Sequence, residues 1–146
     1  MIYNITKSAD LPVISKGWGF ERVVHNSKDY CGKELVLYKN RTCSIHYHKK
    51  KRETFYILSG SLILELYSEP FEVINSNFQE TLDSLLAFEQ VQCKVVRMDP
   101  GDSIFIDILT PHRFIGLADE THFIEFSTQH FEDDSYRIFP GDSQNV

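Results

Sequence analysis

A chain of 146 residues is of single-domain size and can bury a core without disulfide staples. Its formal charge of -6 and isoelectric point near 5.4 lack the basic footprint of a nucleic-acid binder. No stretch supplies the roughly 18 apolar residues of a membrane span, and the N-terminal MIYNITKSADL has no apolar signal core, so a cytoplasmic protein is expected. Eleven Phe and seven Tyr suit strands over helices. Cys31, Cys43 and Cys93 are odd in number with no C-x-x-C spacing; each reads as a small buried hydrophobe.

In chain order, Pro12-Val13-Ile14 predicts a short edge strand. Trp18 follows between Gly17 and Gly19, a unit that turns the backbone while anchoring a large ring. Strands are then expected at 21–25, 30–38, 42–48, 54–59 and 61–67, with turn chemistry between them. Residues 68–90 break the rhythm, and Phe78, Leu82, Leu85, Leu86 and Phe88 have the spacing of a short helix or loop insertion over 78–90. Strand patterning resumes at 92–98 and 103–108 after Asp99-Pro100-Gly101-Asp102. A final hairpin is expected from 113–117 and 122–127, and the tail 128–146 reads as polar chain that wraps or frays. Short strands at this spacing, with no repeat and no linker, predict one all-β domain over 1–146, a sandwich or barrel.

The chemistry concentrates in CSIHYHKKKRETFYILSG, Cys43 to Gly60. His46 and His48 lie two apart on a strand and so share a face. A turn over Lys49 to Arg52, read as solvated, brings Glu53 back towards them from the same hairpin. Two imidazoles and a carboxylate are three donors for a divalent transition metal, with a fourth required from elsewhere. His25, His122 and His130 have no such spacing and read as ordinary hydrogen-bonded residues.

His46, His48, Glu53 and Gly60 resemble the first motif of the cupin family, without its leading glycine. Gly101-Asp102 through His112 is similar to the second, with Asp107-Ile108-Leu109 in place of a Pro-x-Gly corner. Trp18-Gly19, Lys33, Ser44, His48, Glu53, Gly60, Glu125 and the Glu132-Asp133-Asp134 run with Arg137 further resemble the C-terminal cupin domain of type II mannose-6-phosphate isomerases. The resemblance implies a double-stranded β-helix, or jelly-roll barrel, forming homodimers. It also implies His112 as the fourth ligand of one divalent metal, Zn, Mn, Fe, Co or Ni.

On that reading the protein is a sugar or sugar-phosphate isomerase whose metal polarises an open-chain carbonyl. Glu125, Lys33 and Asp107 are candidates for moving the proton, and Arg113 and Arg137 for holding an anionic substrate group. The partner is a small carbohydrate, with neither nucleic acid nor membrane. The same donors also resemble an Fe(II) cupin dioxygenase, and a non-catalytic sugar-binding cupin is the third reading.

Overall fold

The computed structural model describes residues 3–68 and 93–145. The helical reading of 78–90 lies outside them. Among the described residues there are eleven strands and a single 3-10 turn, Ser8–Asp10. The strands are β1 (Val13–Lys16), β2 (Gly19–Asn26), β3 (Cys31–Tyr38), β4 (Ile45–Tyr47), β5 (Glu53–Ser59), β6 (Leu62–Tyr67), β7 (Cys93–Met98), β8 (Ser103–Ile106), β9 (His112–Gly116), β10 (Glu120–Ser127) and β11 (Tyr136–Phe139).

All strand pairs are antiparallel, in a six-stranded sheet ordered β1-β2-β3-β10-β5-β8 and a five-stranded sheet ordered β11-β4-β9-β6-β7. This is the sandwich or barrel that the strand rhythm predicts, in the jelly-roll form that the cupin resemblance implies. Alternation along β5 and β10 turns Phe55, Ile57 and Phe123 inward, where they meet Leu35, Leu37, Leu62, Leu64 and Phe114. Phe55, Phe114 and Phe123 pack edge to face at 5.2 to 6.1 Å. Each such buried ring stabilises the fold by about 2 kcal/mol. Trp18 joins them edge-on to Phe114 at 5.0 Å, and a Cβ on Gly19 would sit 1.9 Å from the Val36 carbonyl oxygen. The Gly-Trp-Gly unit therefore anchors the core.

Three expectations are corrected and the two alternatives for the tail are decided. β4 and β5 do not form a hairpin; they lie in opposite sheets, so the chain crosses the barrel between His48 and Glu53. β9 and β10 are likewise split between the sheets. The tail is not frayed: β11 pairs with β4, and Tyr136 stacks on Tyr47 at 5.3 Å. Cys93 is exposed, whereas Cys31 and Cys43 are buried.

Candidate metal centre and the buried charges beside it

His46 on β4 pairs in register with His112, the first residue of β9, and His48 lies just beyond β4 on the same side. The three imidazoles offer nitrogens within 4.8 Å of one another. From the opposite sheet Glu53 brings Oε1 to 3.0 Å from His112 Nε2 and 3.5 Å from His48 Nε2. The crossing between sheets is what makes the donors converge.

Each ring is held in one tautomer from behind. Nδ1–H of His46 donates to the Ser44 carbonyl at 2.8 Å, that of His48 to Asp134 at 2.6 Å, and that of His112 to Thr110 at 2.9 Å. A carbonyl only accepts, so the proton sits on Nδ1 and Nε2 presents a lone pair. Nε2 of His48, Nε2 of His112 and Oε1 of Glu53 are buried without a hydrogen-bond partner. Lone pairs facing one another in a buried space repel, and a cation between them removes the conflict. Burial, then the neighbouring imidazoles, lowers His46 well below the ordinary imidazole range; burial and the Lys51 charge lower His48 to about 4. Both are therefore neutral near pH 7, as ligation requires. The donor set fits a divalent transition metal.

Beside the donors runs a chain of buried charges. Lys51 is only 4% exposed, and its Nζ donates to Glu53 Oε2 and to Glu125 Oε1, both at 2.7 Å. The reading of Lys49 to Arg52 as a solvated turn is corrected at this residue. Burial opposes the charge on Lys51, but two carboxylates hold its ammonium well above the usual range. Burial opposes the charges on Glu53 and Glu125 too, and is outweighed at Glu53 by Lys51 together with His112 and His48, and at Glu125 by Lys51 together with Lys33, which keeps both carboxyls below their usual range. Sequence carried one signal for this: Lys51 is two residues before Glu53, so extending the alternation of β5 backwards places both on the inner face.

Asp134, 1% exposed, fixes this arrangement from the tail. Its carboxylate accepts from the backbone N–H groups of Lys49, Lys50 and Lys51 at 3.0 to 3.2 Å, while its carbonyl holds His48. One residue thus sets the turn that presents Lys51 and the ring that presents a donor.

His46, His48, Lys51, Glu53 and Glu125 line a cavity of about 160 Å³ that also includes Trp18, Lys33, His130 and Arg137. Lys33 on β3 is buried and donates to Glu21 at 3.3 Å, and it lies 3.5 Å from His130 Nδ1. Arg137 reaches the lining from β11, in register with His46. The structure thus brings together His46, His48, Glu53, His112, Glu125, Lys33 and Arg137. Asp107 and Arg113 are outside the lining: Asp107 accepts from Arg52 at 2.9 Å on the exterior, and Arg113 is held by Glu65. At the altered corner Leu109 takes a left-handed backbone, φ 61, and its N–H donates to the His48 carbonyl at 2.7 Å. The glycine of the motif is gone, yet its backbone conformation remains.

The jelly roll and a three-histidine cluster able to hold a metal define a cupin. A family model described as D-lyxose isomerase matches residues 17–142, and the chain belongs to that family. Comparison with curated protein sequences finds no match. Among solved structures, KdgF from Halomonas sp. is similar at 15% identity and TM-score 0.57, over 78% of this chain and 81% of that one. The capsular polysaccharide assembling protein CapF from Staphylococcus aureus gives 15% and 0.67 over 88% and 32%. Oxalate decarboxylase from Lactobacillus farciminis gives 15% and 0.68 over 94% and 37%. The chain thus spans about a third of these last two proteins, and at such identity the likeness is one of fold.

Proposed function

We propose that the protein is a metal-dependent aldose-ketose isomerase acting on a small sugar in the cytosol, with the metal held by His46, His48, Glu53 and His112. The observation that carries this reading is the buried Lys51–Glu125 pair, set in the same cavity as the metal donors. Bound there, a divalent metal supplies Lewis-acid polarisation of the sugar oxygens. The chain's own residues do the rest.

Isomerisation moves a proton from C2 to C1 and another from O2 to O1. Glu125, a carboxylate at neutral pH, takes the C2 proton and returns it to C1. Lys51, held as an ammonium, donates hydrogen bonds to the sugar oxygens and stabilises the charge that develops on them while the proton passes from O2 to O1. Lys33 and Arg137 orient the remaining oxygens by donating hydrogen bonds. Trp18, Phe55 and Phe114 belong to the apolar part of the lining, with Ile14, Leu35 and Cys43.

Family membership favours D-lyxose and D-xylulose as the first pair to assay. Mannose 6-phosphate and fructose 6-phosphate, from the likeness seen in the sequence, come second. The test is interconversion in air by the Mn- or Zn-loaded protein. Turnover of either pair supports the proposal. Oxygen uptake dependent on Fe(II) and substrate assigns the protein instead to the dioxygenases. Sugar binding without turnover for any metal reduces the site to recognition.

A further inference from the structure

The isomerisation proposed above acts on an open-chain sugar, whereas pentoses and hexoses in water are almost wholly cyclic hemiacetals. Opening the ring is a separate proton transfer, in which a base takes the proton of the O1 hydroxyl while an acid protonates the ring oxygen. Those two oxygens hang from one carbon, so the acid and the base have to be neighbours. Lys51 and Glu125 are committed to each other and to the later step, and His46, His48, Glu53 and His112 to the metal.

Among the described residues lining the cavity, His130 is the one imidazole outside the metal donors. Its backbone is pinned to the end of β2: its N–H donates to Asn26 Oδ1 at 2.9 Å, and its carbonyl accepts from Asn26 Nδ2 at 3.1 Å. Its Nδ1 lies 3.5 Å from Nζ of the buried Lys33. An ammonium only donates, so Nδ1 faces it as the acceptor, and the ring proton sits on Nε2, 3.7 Å from Glu132 Oε1. Burial, then the charges on Lys33 and Lys51, lowers His130 below the ordinary imidazole range, and the opposing charges of Glu125 and Glu132 offset this only in part. The ring is therefore a neutral base near pH 7. Lys33 in turn is 3.3 Å from Glu21 on β2 and stands opposite Glu125 in the register of β3 with β10.

We propose that Lys33 and His130 form a ring-opening pair that gives the protein a second activity, the interconversion of sugar anomers; that the ligand is a sugar rests on the isomerase reading above. His130 Nδ1 takes the proton of the O1 hydroxyl, and the electron pair of that O–H bond forms the C1 carbonyl. The bond from C1 to the ring oxygen breaks, and its electron pair takes a proton from Lys33 Nζ. The imidazolium then returns a proton to the Lys33 amine across their 3.5 Å contact, which restores both groups. Glu132, beside Nε2–H, favours the imidazolium while it lasts. Closure of the ring onto either face of the carbonyl, by the same transfers reversed, yields either anomer. The register with Glu125 keeps the opened chain beside the base that acts next.

Saturation-transfer NMR between the two anomers of D-lyxose, with the Zn-loaded full chain, tests this, because it reads ring opening whether or not ketose forms. The expected exchange is about 10²-fold faster than in buffer alone. His130→Gln removes the acceleration with an unchanged thermal melt. Lys33→Arg removes it as well, because a guanidinium keeps the charge beside Glu21 but does not release its proton. No acceleration by the wild type overturns the proposal, and this arm needs no variant to fold. Acceleration that survives His130→Gln overturns the base, and acceleration that survives Lys33→Arg overturns the acid. The two readings fail separately: ketose formed without faster anomer exchange overturns the ring-opening pair alone. Exchange lost in both variants, with no ketose formed by the wild type, upholds the pair and overturns the isomerase.

Discussion

The two faces of the six-stranded sheet invert the ordinary distribution of charge where it borders the cavity. On β10, Glu125 points inward and is 4% exposed, whereas its neighbour Phe126 points outward and is 56% exposed. Next to β5, Lys51 is buried between two carboxylates while Arg52, one residue on, holds Asp107 in solvent. A protein gains nothing in stability by exchanging phenylalanine for glutamate inside, since burying a charge costs more than an ion pair returns in most settings. The inner charges therefore need a reason other than stability, and the proposed isomerase chemistry supplies one.

The comparison breaks most sharply at Glu125. Glu125→Gln preserves shape and the metal donors, and is expected to lower kcat by roughly 10² to 10⁴-fold with metal content unchanged; single-turnover kinetics on metal-loaded protein checks it. Lys51→Ala leaves Glu53 and Glu125 buried with no cation between them, and is expected to cost about 3–5 kcal/mol in urea unfolding. Pairing Lys51→Met with Glu125→Gln recovers part of that loss, because one carboxylate charge is removed with the ammonium.

Acid separates the faces next. His48 is lowered to about 4 in the folded protein, below its ordinary 6.5. Between these values the unfolded chain binds a proton that the folded chain does not. Stability of chelator-treated protein is thus full above pH 6.5 and falls as pH drops towards 4, by about 3 kcal/mol. Denaturation midpoints measured across that window should show the fall, and a flat profile would contradict the neutral, buried ring. Smallest of all is Arg52→Ala, whose ion pair is half-exposed, with an expected change within about 0.5 kcal/mol by the same unfolding measurement.

The sequence made the strands and the donor pattern legible because both have a short period. The i, i+2 spacing of His46 and His48 and the alternation of β5 and β10 are local properties of an extended chain. What it hid is non-local. Asp134 orients His48 and three consecutive amides from 83 to 86 residues away, a relation that no spacing rule encodes. The placement of β4 and β5 in opposite sheets was hidden for the same reason, because a short connection suits a hairpin as well as a crossing. Lys51 was misread because Lys, Lys, Lys and Arg in a row look like solvated charge; only its inner partners, Glu53 and Glu125, single it out. Leu109 shows the converse, a left-handed corner kept by hydrogen bonding to His48 after its glycine was lost.

The central claim is that three imidazoles and Glu53 converge on one metal ion. Metal analysis of purified wild-type protein beside His112→Ala tests it most directly. One equivalent of a divalent transition metal in the wild type and none in the variant, with both folded by circular dichroism, is the predicted result. Equal metal content in the two, or none in the wild type after incubation with Mn, Zn, Co, Ni or Fe(II), would contradict it.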